Sequence, residues 1–198
     1  ARSSLKDLGP GRYAIKAITE AGVERVIRFA FELARKRAGK RKVTLTSKYN
    51  MLHQSDGLFR DIGRSIAEEY SDIEFETFIV DDFLCRMITQ PDALDVVVTP
   101  NLYGDILSDG AAGLIGGLGL APSGCFGADY AYFESAHGTA PDIQGMNIIN
   151  PTATLLSAGM MLEYLGLEDS ARALTSAVTA TFKEGRTLTP DQGGTSTT

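Results

Sequence analysis

From Ala21 to Arg37 the apolar residues Val23, Val26, Ile27, Ala30, Phe31 and Ala34 recur at helical spacing. That stripe predicts an amphipathic helix. The basic run Arg35, Lys36 and Arg37 suits the negative end of its dipole. Extended through Lys40, Arg41 and Lys42, the cluster reads as a solvated helix end in preference to an anion site. Val43-Thr44-Leu45-Thr46 is a short β-rich run, and Ser55 or Asp56 can cap a second helix reaching about Tyr70. Alternation of Ile73, Phe75, Thr77 and Ile79 predicts a strand from Ile73 to Val80. A helix over Phe83 to Thr89 stops before Pro91. The continuous β-branched run Val96-Val97-Val98 predicts a strand buried on both faces. A glycine-rich helix or set of turns follows to Gly119. Two further helices are expected, Pro151 to Leu165 with Pro151 in its first turn, and Asp169 to Lys183. Ala1 to Tyr13, with Gly9-Pro10-Gly11, reads as a loop or arm, and Gln192 to Thr198 as a frayed tail. Strands alternating with helices indicate an α/β fold with at least partly parallel strands.

Composition narrows the function classes. The 198 residues allow one ample domain or two small ones. Lys+Arg is 19 against Asp+Glu 25, a net charge of −6, which argues against nucleic-acid binding through a broad basic surface. Cys85 and Cys125 make no disulfide framework and no zinc spacing, and two histidines are too few for a His-rich metal site. The longest apolar stretch, Gly113 to Pro122, is short and broken by glycines, so no membrane span is expected. No basic-then-apolar leader opens the chain, so a cytoplasmic or organelle-matrix enzyme is the default.

The best site signal is Pro100 to Asp109, directly after Val96 to Val98. In open α/β sheets ligands sit at the carboxyl ends of strands. If this stretch is helical, Asp105 and Asp109 stand one turn apart and repel by about 0.2–0.5 kcal/mol. A divalent cation reverses that repulsion, and oxygen-only ligands favour Mg²⁺ or Mn²⁺. The alternative is a solvated acidic face. Asp81-Asp82 ends the Ile73–Val80 run, where carboxylates often act as helix caps. Lys48 and Asn50 follow the Val43–Thr46 run. Lys48 is a surface charge or, beside a metal site, a group that moves protons. The loop His137-Gly138-Thr139-Ala140-Pro141-Asp142-Ile143 exposes backbone N–H groups to a ligand. Asp142 can accept both hydroxyls of a ribose and repel a 2′-phosphate, which selects NAD over NADP. Gly113, Gly116, Gly117 and Gly119 do not form the dinucleotide fingerprint, and read as close packing and turns. His53 reads as a surface or capping residue, and Cys85, Cys125 and Met160-Met161-Leu162 as packing groups.

NLYGDILSD (Asn101 to Asp109), HGTAPDI (His137 to Ile143) and NPTA (Asn150 to Ala153) together resemble the β-decarboxylating dehydrogenases. That family includes isocitrate, 3-isopropylmalate, homoisocitrate and tartrate dehydrogenases. The likeness runs from about Ile15 to Gly194, and Ile15 to Thr19 with Arg28 to Glu32 is similar to the NAD-dependent isocitrate and homoisocitrate branch. The resemblance implies an isocitrate/isopropylmalate dehydrogenase-like α/β fold, of which only the C-terminal portion is present. Residues 1–116 would be the small domain for dimerisation, metal and substrate, and 117–198 the C-terminal part of the large cofactor domain. It implies metal-dependent oxidative decarboxylation of a 2-hydroxy acid with a β-carboxylate, and hydride transfer to NAD. Asp105 and Asp109 would bind Mg²⁺ or Mn²⁺, with Asp81 reaching the same metal across a homodimer. Lys48 would be the catalytic lysine, also donated across the dimer, and Asn50 a polar contact to substrate and nicotinamide. His137, Gly138, Thr139 and Ala140 would line the adenosine, Asp142 would hold the ribose, Ile143 would pack on the adenine and Asn150 would contact its edge.

The sequence departs from the family pattern at Tyr49, where a small residue is usual, at Gly110, which replaces a common Leu, and over Cys125 to Tyr130. Family members are nearly twice this length. Their N-terminal half carries an arginine cluster for the substrate carboxylates and a catalytic tyrosine, which no segment here matches. The expectation is a portion of an enzyme that lacks normal turnover alone. The alternatives are a tartrate- or D-malate-type dehydrogenase, or a catalytically silent subunit of a hetero-oligomer.

Overall fold

Val23, Ile27, Ala30, Phe31 and Ala34 form one buried stripe on α1 (Glu20–Arg37). The computed structural model describes residues 9–37 and 39–198. Residues 1–8 of the expected opening arm lie outside it, and 9–13 have no regular structure. The chain divides into two compact units, Ala1–Asp105 and Ile106–Thr198.

The first unit is built on a three-stranded sheet in the order β2-β1-β3, with every pairing parallel. Its strands are β1 (Lys42–Ser47), β2 (Glu74–Ile79) and β3 (Val96–Val98). Parallel neighbours require crossovers, and α2 (Ser55–Ala67) joins β1 to β2 while α3 (Val80–Thr89) leaves β2 toward β3. The core joins the α1 stripe to Val43, Leu45, Phe59, Ile66, Tyr70 and Ile73. Phe31 stacks on Tyr70 with ring centroids 4.7 Å apart. Gly63 lets α2 lie close to the sheet, because a Cβ there would come within 2.4 Å of Leu45 Cδ1.

Several expectations change here. Ser55 and Asp56 do not cap α2: Ser55 is its first residue, Gln54 precedes it, and no side chain caps the end. The helix ends at Ala67, and Tyr70 lies beyond it. α3 begins at Val80, directly on the end of β2, so Asp81 and Asp82 occupy its first turn. There their charge suits the helix dipole without a side-chain cap. β3 is not buried on both faces. Among the described residues it pairs with β1 alone, Val96 and Val98 face the core, and Val97 is 37% exposed. β-branched runs fit either environment, so composition does not separate them.

Along α4 (Asn101–Leu114) the chain passes into the second unit. This unit contains an antiparallel hairpin of β4 (Pro122–Phe126) and β5 (Ala131–Ser135), registered from Pro122↔Ser135 to Phe126↔Ala131. The hairpin carries no strong sequence signal, since Pro122 and Gly124 are poor strand formers. Its turn closes through the Gly127 N–H donating to the Tyr130 carbonyl at 2.9 Å. α5 (Thr152–Tyr164) begins one residue after Pro151. It packs on the hairpin and on α6 (Glu168–Glu184) through small residues. Ser157 Oγ lies 2.6 Å from the Glu134 carbonyl oxygen and accepts the Ser123 N–H at 3.2 Å, so it ties α5 to both strands.

The tail is not frayed. The Ser196 N–H donates to Leu188, and the Thr198 N–H donates to Asn147, each at 3.0 Å. Met161 is 39% exposed and its neighbours are half-buried, so this cluster is not core. Cys85 and Cys125 are exposed, not packing groups. Among the described residues no helix is long and apolar enough to cross a membrane.

Candidate functional site

Ser47 lies opposite Ile79 at the last step of the β1–β2 ladder. The chains continuing from that step carry Lys48 and Asp81 out of neighbouring carboxyl ends. The Lys48 ammonium forms an ion pair with Asp81. That hydrogen bond, helped by a backbone N–H in the first turn of α3, holds the Asp81 carboxyl below its ordinary range. Asp81 is 59% exposed, so solvent screens the pair and it adds little stability. Its value is positional. Asn50 is exposed in the turn after Lys48, where the Met51 and Leu52 N–H groups both donate to the Lys48 carbonyl. Tyr49 lies beneath the Arg60 guanidinium, 4.9 Å from its ring centroid, which ties the unusual residue to α2.

β3 leads into α4, which carries Asp105 and Asp109 one turn apart, both exposed. Two carboxylates on one helix face form an oxygen-only donor pair, which fits a hard divalent cation. Among the described residues no three His, Cys, Asp or Glu side chains converge to hold a metal ion.

Asp56 occupies a place beside Lys48 that sequence reading did not single out. Its side chain is fully buried and faces the carboxyl end of β1. The signal was available only as a carboxylate eight residues after Lys48, and helix-capping statistics explain that equally well.

In the second unit the segment 137–150 wraps a pair of adjoining cavities. His137, Gly138, Ala140, Ile143 and Asn150 share one of about 360 Å³ with Gly119 and Asp191. Thr139 faces the other, of about 410 Å³, again beside Ala140 and Ile143. Asp142 lines neither and is exposed at the rim. Ala140 has φ +44°, a left-handed backbone that is rare without a glycine, just before the turn Pro141–Ile143. Small side chains leave this backbone open to a ligand.

Asn150 is buried and already engaged. Its Oδ1 accepts the Thr152 N–H at 3.0 Å at the start of α5, and its Nδ2 donates to Asp191 Oδ2 at 2.9 Å. Burial pushes the Asp191 carboxyl up, but hydrogen bonds from Thr189, Asn150 and Gln192 outweigh it and hold the group below the usual carboxylate range. Asp191 also escaped sequence reading, because it lies 41 residues from Asn150.

The family model described as isocitrate/isopropylmalate dehydrogenase matches residues 5–198. The chain belongs to that family. It is 52% identical over 184 residues to the 3-isopropylmalate/3-methylmalate dehydrogenase of Methanocaldococcus jannaschii, covering 91% of this chain and 55% of that protein. It is 51% identical over 182 residues to the mitochondrial isocitrate dehydrogenase [NAD] subunit alpha of Homo sapiens, covering 91% and 50%. The crystal structure of isocitrate dehydrogenase from Methylococcus capsulatus superposes with a TM-score of 0.89 at 50% identity, covering 92% of this chain and 55% of that one. The fold is thus that of the family, and the chain spans about half the length of the curated relatives it matches.

Proposed function

We propose that this chain is a portion of an enzyme that oxidatively decarboxylates a 2-hydroxy acid carrying a β-carboxylate, with NAD as hydride acceptor. The observation that carries this reading is the Lys48–Asp81 pair at the carboxyl edge of the parallel sheet. A lysine held in place by a neighbouring carboxylate can, as the neutral amine, accept the proton of the substrate hydroxyl, and the ammonium so formed can later return one to the product carbon. Asn50, in the adjoining turn, orients the acid beside it. Asp105 and Asp109 hold Mg²⁺ or Mn²⁺, with Asp81 contributed from a second copy in a homodimer. When bound, the divalent ion supplies Lewis-acid polarisation of the substrate oxygens and NAD supplies the hydride acceptor.

In the cofactor half, His137, Gly138, Thr139 and Ala140 form the adenosine wall, and Ile143 packs on the adenine. Asn150, pre-set by Asp191 and Thr152, offers its edge to the adenine. Asp142, at the rim, takes the ribose hydroxyls and repels a 2′-phosphate. Residues 1–116 then act as the small domain for dimerisation, metal and substrate, and 117–198 as part of the cofactor domain. The compartment is the cytoplasm or an organelle matrix.

The test is a turnover assay on the product of the complete gene, with isocitrate, 3-isopropylmalate, homoisocitrate, tartrate and D-malate, each with NAD or NADP and Mn²⁺. Mn²⁺-dependent CO₂ release with NADH formation is expected for at least one acid. A gene product that binds neither NAD nor Mn²⁺ and turns over none of them excludes the reading in favour of a silent subunit.

A further inference from the structure

Asp56 is fully buried, and the chemistry proposed above does not use it. A carboxylate taken out of water persists only when its oxygens are well partnered. Lys48 donates its backbone N–H to Oδ2 at 2.9 Å. The Lys16 ammonium pairs with Oδ1. The Tyr103 ring adjoins this group: Lys16 sits over it, 4.7 Å from its centroid. Ser55 Oγ lies 3.4 Å from Oδ1.

These groups come from four separate parts of the chain: the approach to α1, the end of β1, the start of α2 and the first turn of α4. They meet where the sheet ladder stops. Among the described residues the ladder stops at Ser47↔Ile79; the Lys48 carbonyl is held by the Met51 and Leu52 N–H groups, and its own N–H is held by Asp56. Its side chain pairs with Asp81.

We propose that Asp56 is a positioning residue for Lys48: its buried carboxylate anchors the Lys48 amide and braces it against Lys16, so that the ammonium is presented in a fixed place. This rests on the reading of Lys48 as the proton-relaying group. Displacing a catalytic group by about 1 Å can cost about 10²-fold in rate, so a rigid anchor here has a kinetic consequence that a generic core contact lacks.

Two readouts test the proposal. In the product of the complete gene, Asp56→Asn keeps the shape but removes the charge that pairs with Lys16. It should lower kcat about ten-fold or more while leaving KM for NAD unchanged, and Asp56→Glu should restore part of the loss. In the 198-residue chain labelled with ¹⁵N, Asp56→Asn and Asp56→Ala should speed hydrogen exchange at the Lys48 amide about ten-fold or more. Exchange at Phe31 and Leu45 should not move. Unchanged Lys48 exchange, or equal acceleration at all three amides, overturns the positioning role. If the unsubstituted gene product turns over no hydroxy acid, the functional reading falls, and the exchange comparison still decides whether Asp56 anchors Lys48.

Discussion

At the scale of single residues, Asp81 and Lys48 define each other. The hydrogen bond from Lys48 favours the ionised carboxylate, so the folded-state pKa of Asp81 lies below its unfolded value. The small stabilisation this gives is complete above the ordinary aspartate range and is lost as pH falls through the lower folded value. Carboxyl NMR titration should show Asp81 protonating below the ordinary aspartate range, and Lys48→Met should move it back up. The same substitution should cut kcat of the complete gene product by about 10²–10⁴-fold, the usual range for a positioned acid–base group. Asp142→Lys replaces a charge that repels a 2′-phosphate with one that attracts it. It should raise KM for NAD and lower KM for NADP, and steady-state kinetics with both cofactors decides this. Asp142 could be singled out from the sequence because it lies within the contiguous string HGTAPDI. Asp56 and Asp191 were not readable, because decisive partners lie far away along the chain: residue 16 for one, 150 for the other.

At the scale of elements, small side chains control how closely segments approach. A Cβ on Gly194 would lie 1.9 Å from the Leu188 carbonyl oxygen, a clash with backbone that no rotamer relieves. Gly194→Ala should therefore release the Leu188–Ser196 contact and destabilise the protein by about 1–3 kcal/mol, visible as a lower Tm and faster exchange at the Ser196 amide. Ser157→Ala leaves the Ser123 N–H without its acceptor, and should cost about 1–3 kcal/mol. The helices of the first unit and the strands β1 and β2 were legible from periodicity, since each buries one face. The hairpin β4–β5 was not, because its strands open on Pro122 and contain Gly124, and only cross-strand pairing and α5 stabilise them. Val97 shows the converse: strand propensity was clear, but its exposure depends on which strands neighbour it.

At the scale of the whole molecule, ligand linkage is the accessible measurement. If Asp105 and Asp109 bind Mn²⁺, saturating metal at about 100 times its Kd should stabilise the folded chain by about 2.7 kcal/mol. Asp105→Asn with Asp109→Asn should abolish the thermal shift without unfolding the protein, since both residues are exposed on α4. By itself the sequence determined the alternation of helices and strands, because periodicity and β-branching act locally. It also determined the family resemblance, because NLYGDILSD, HGTAPDI and NPTA are contiguous strings. Tertiary structure alone decided that Lys48 meets Asp81 and that Asp56 is buried beneath the strand end. It also decided that the last residues are held at 147–149. Each of these joins groups many residues apart, and such pairings follow from strand order and packing geometry, which local pattern does not encode.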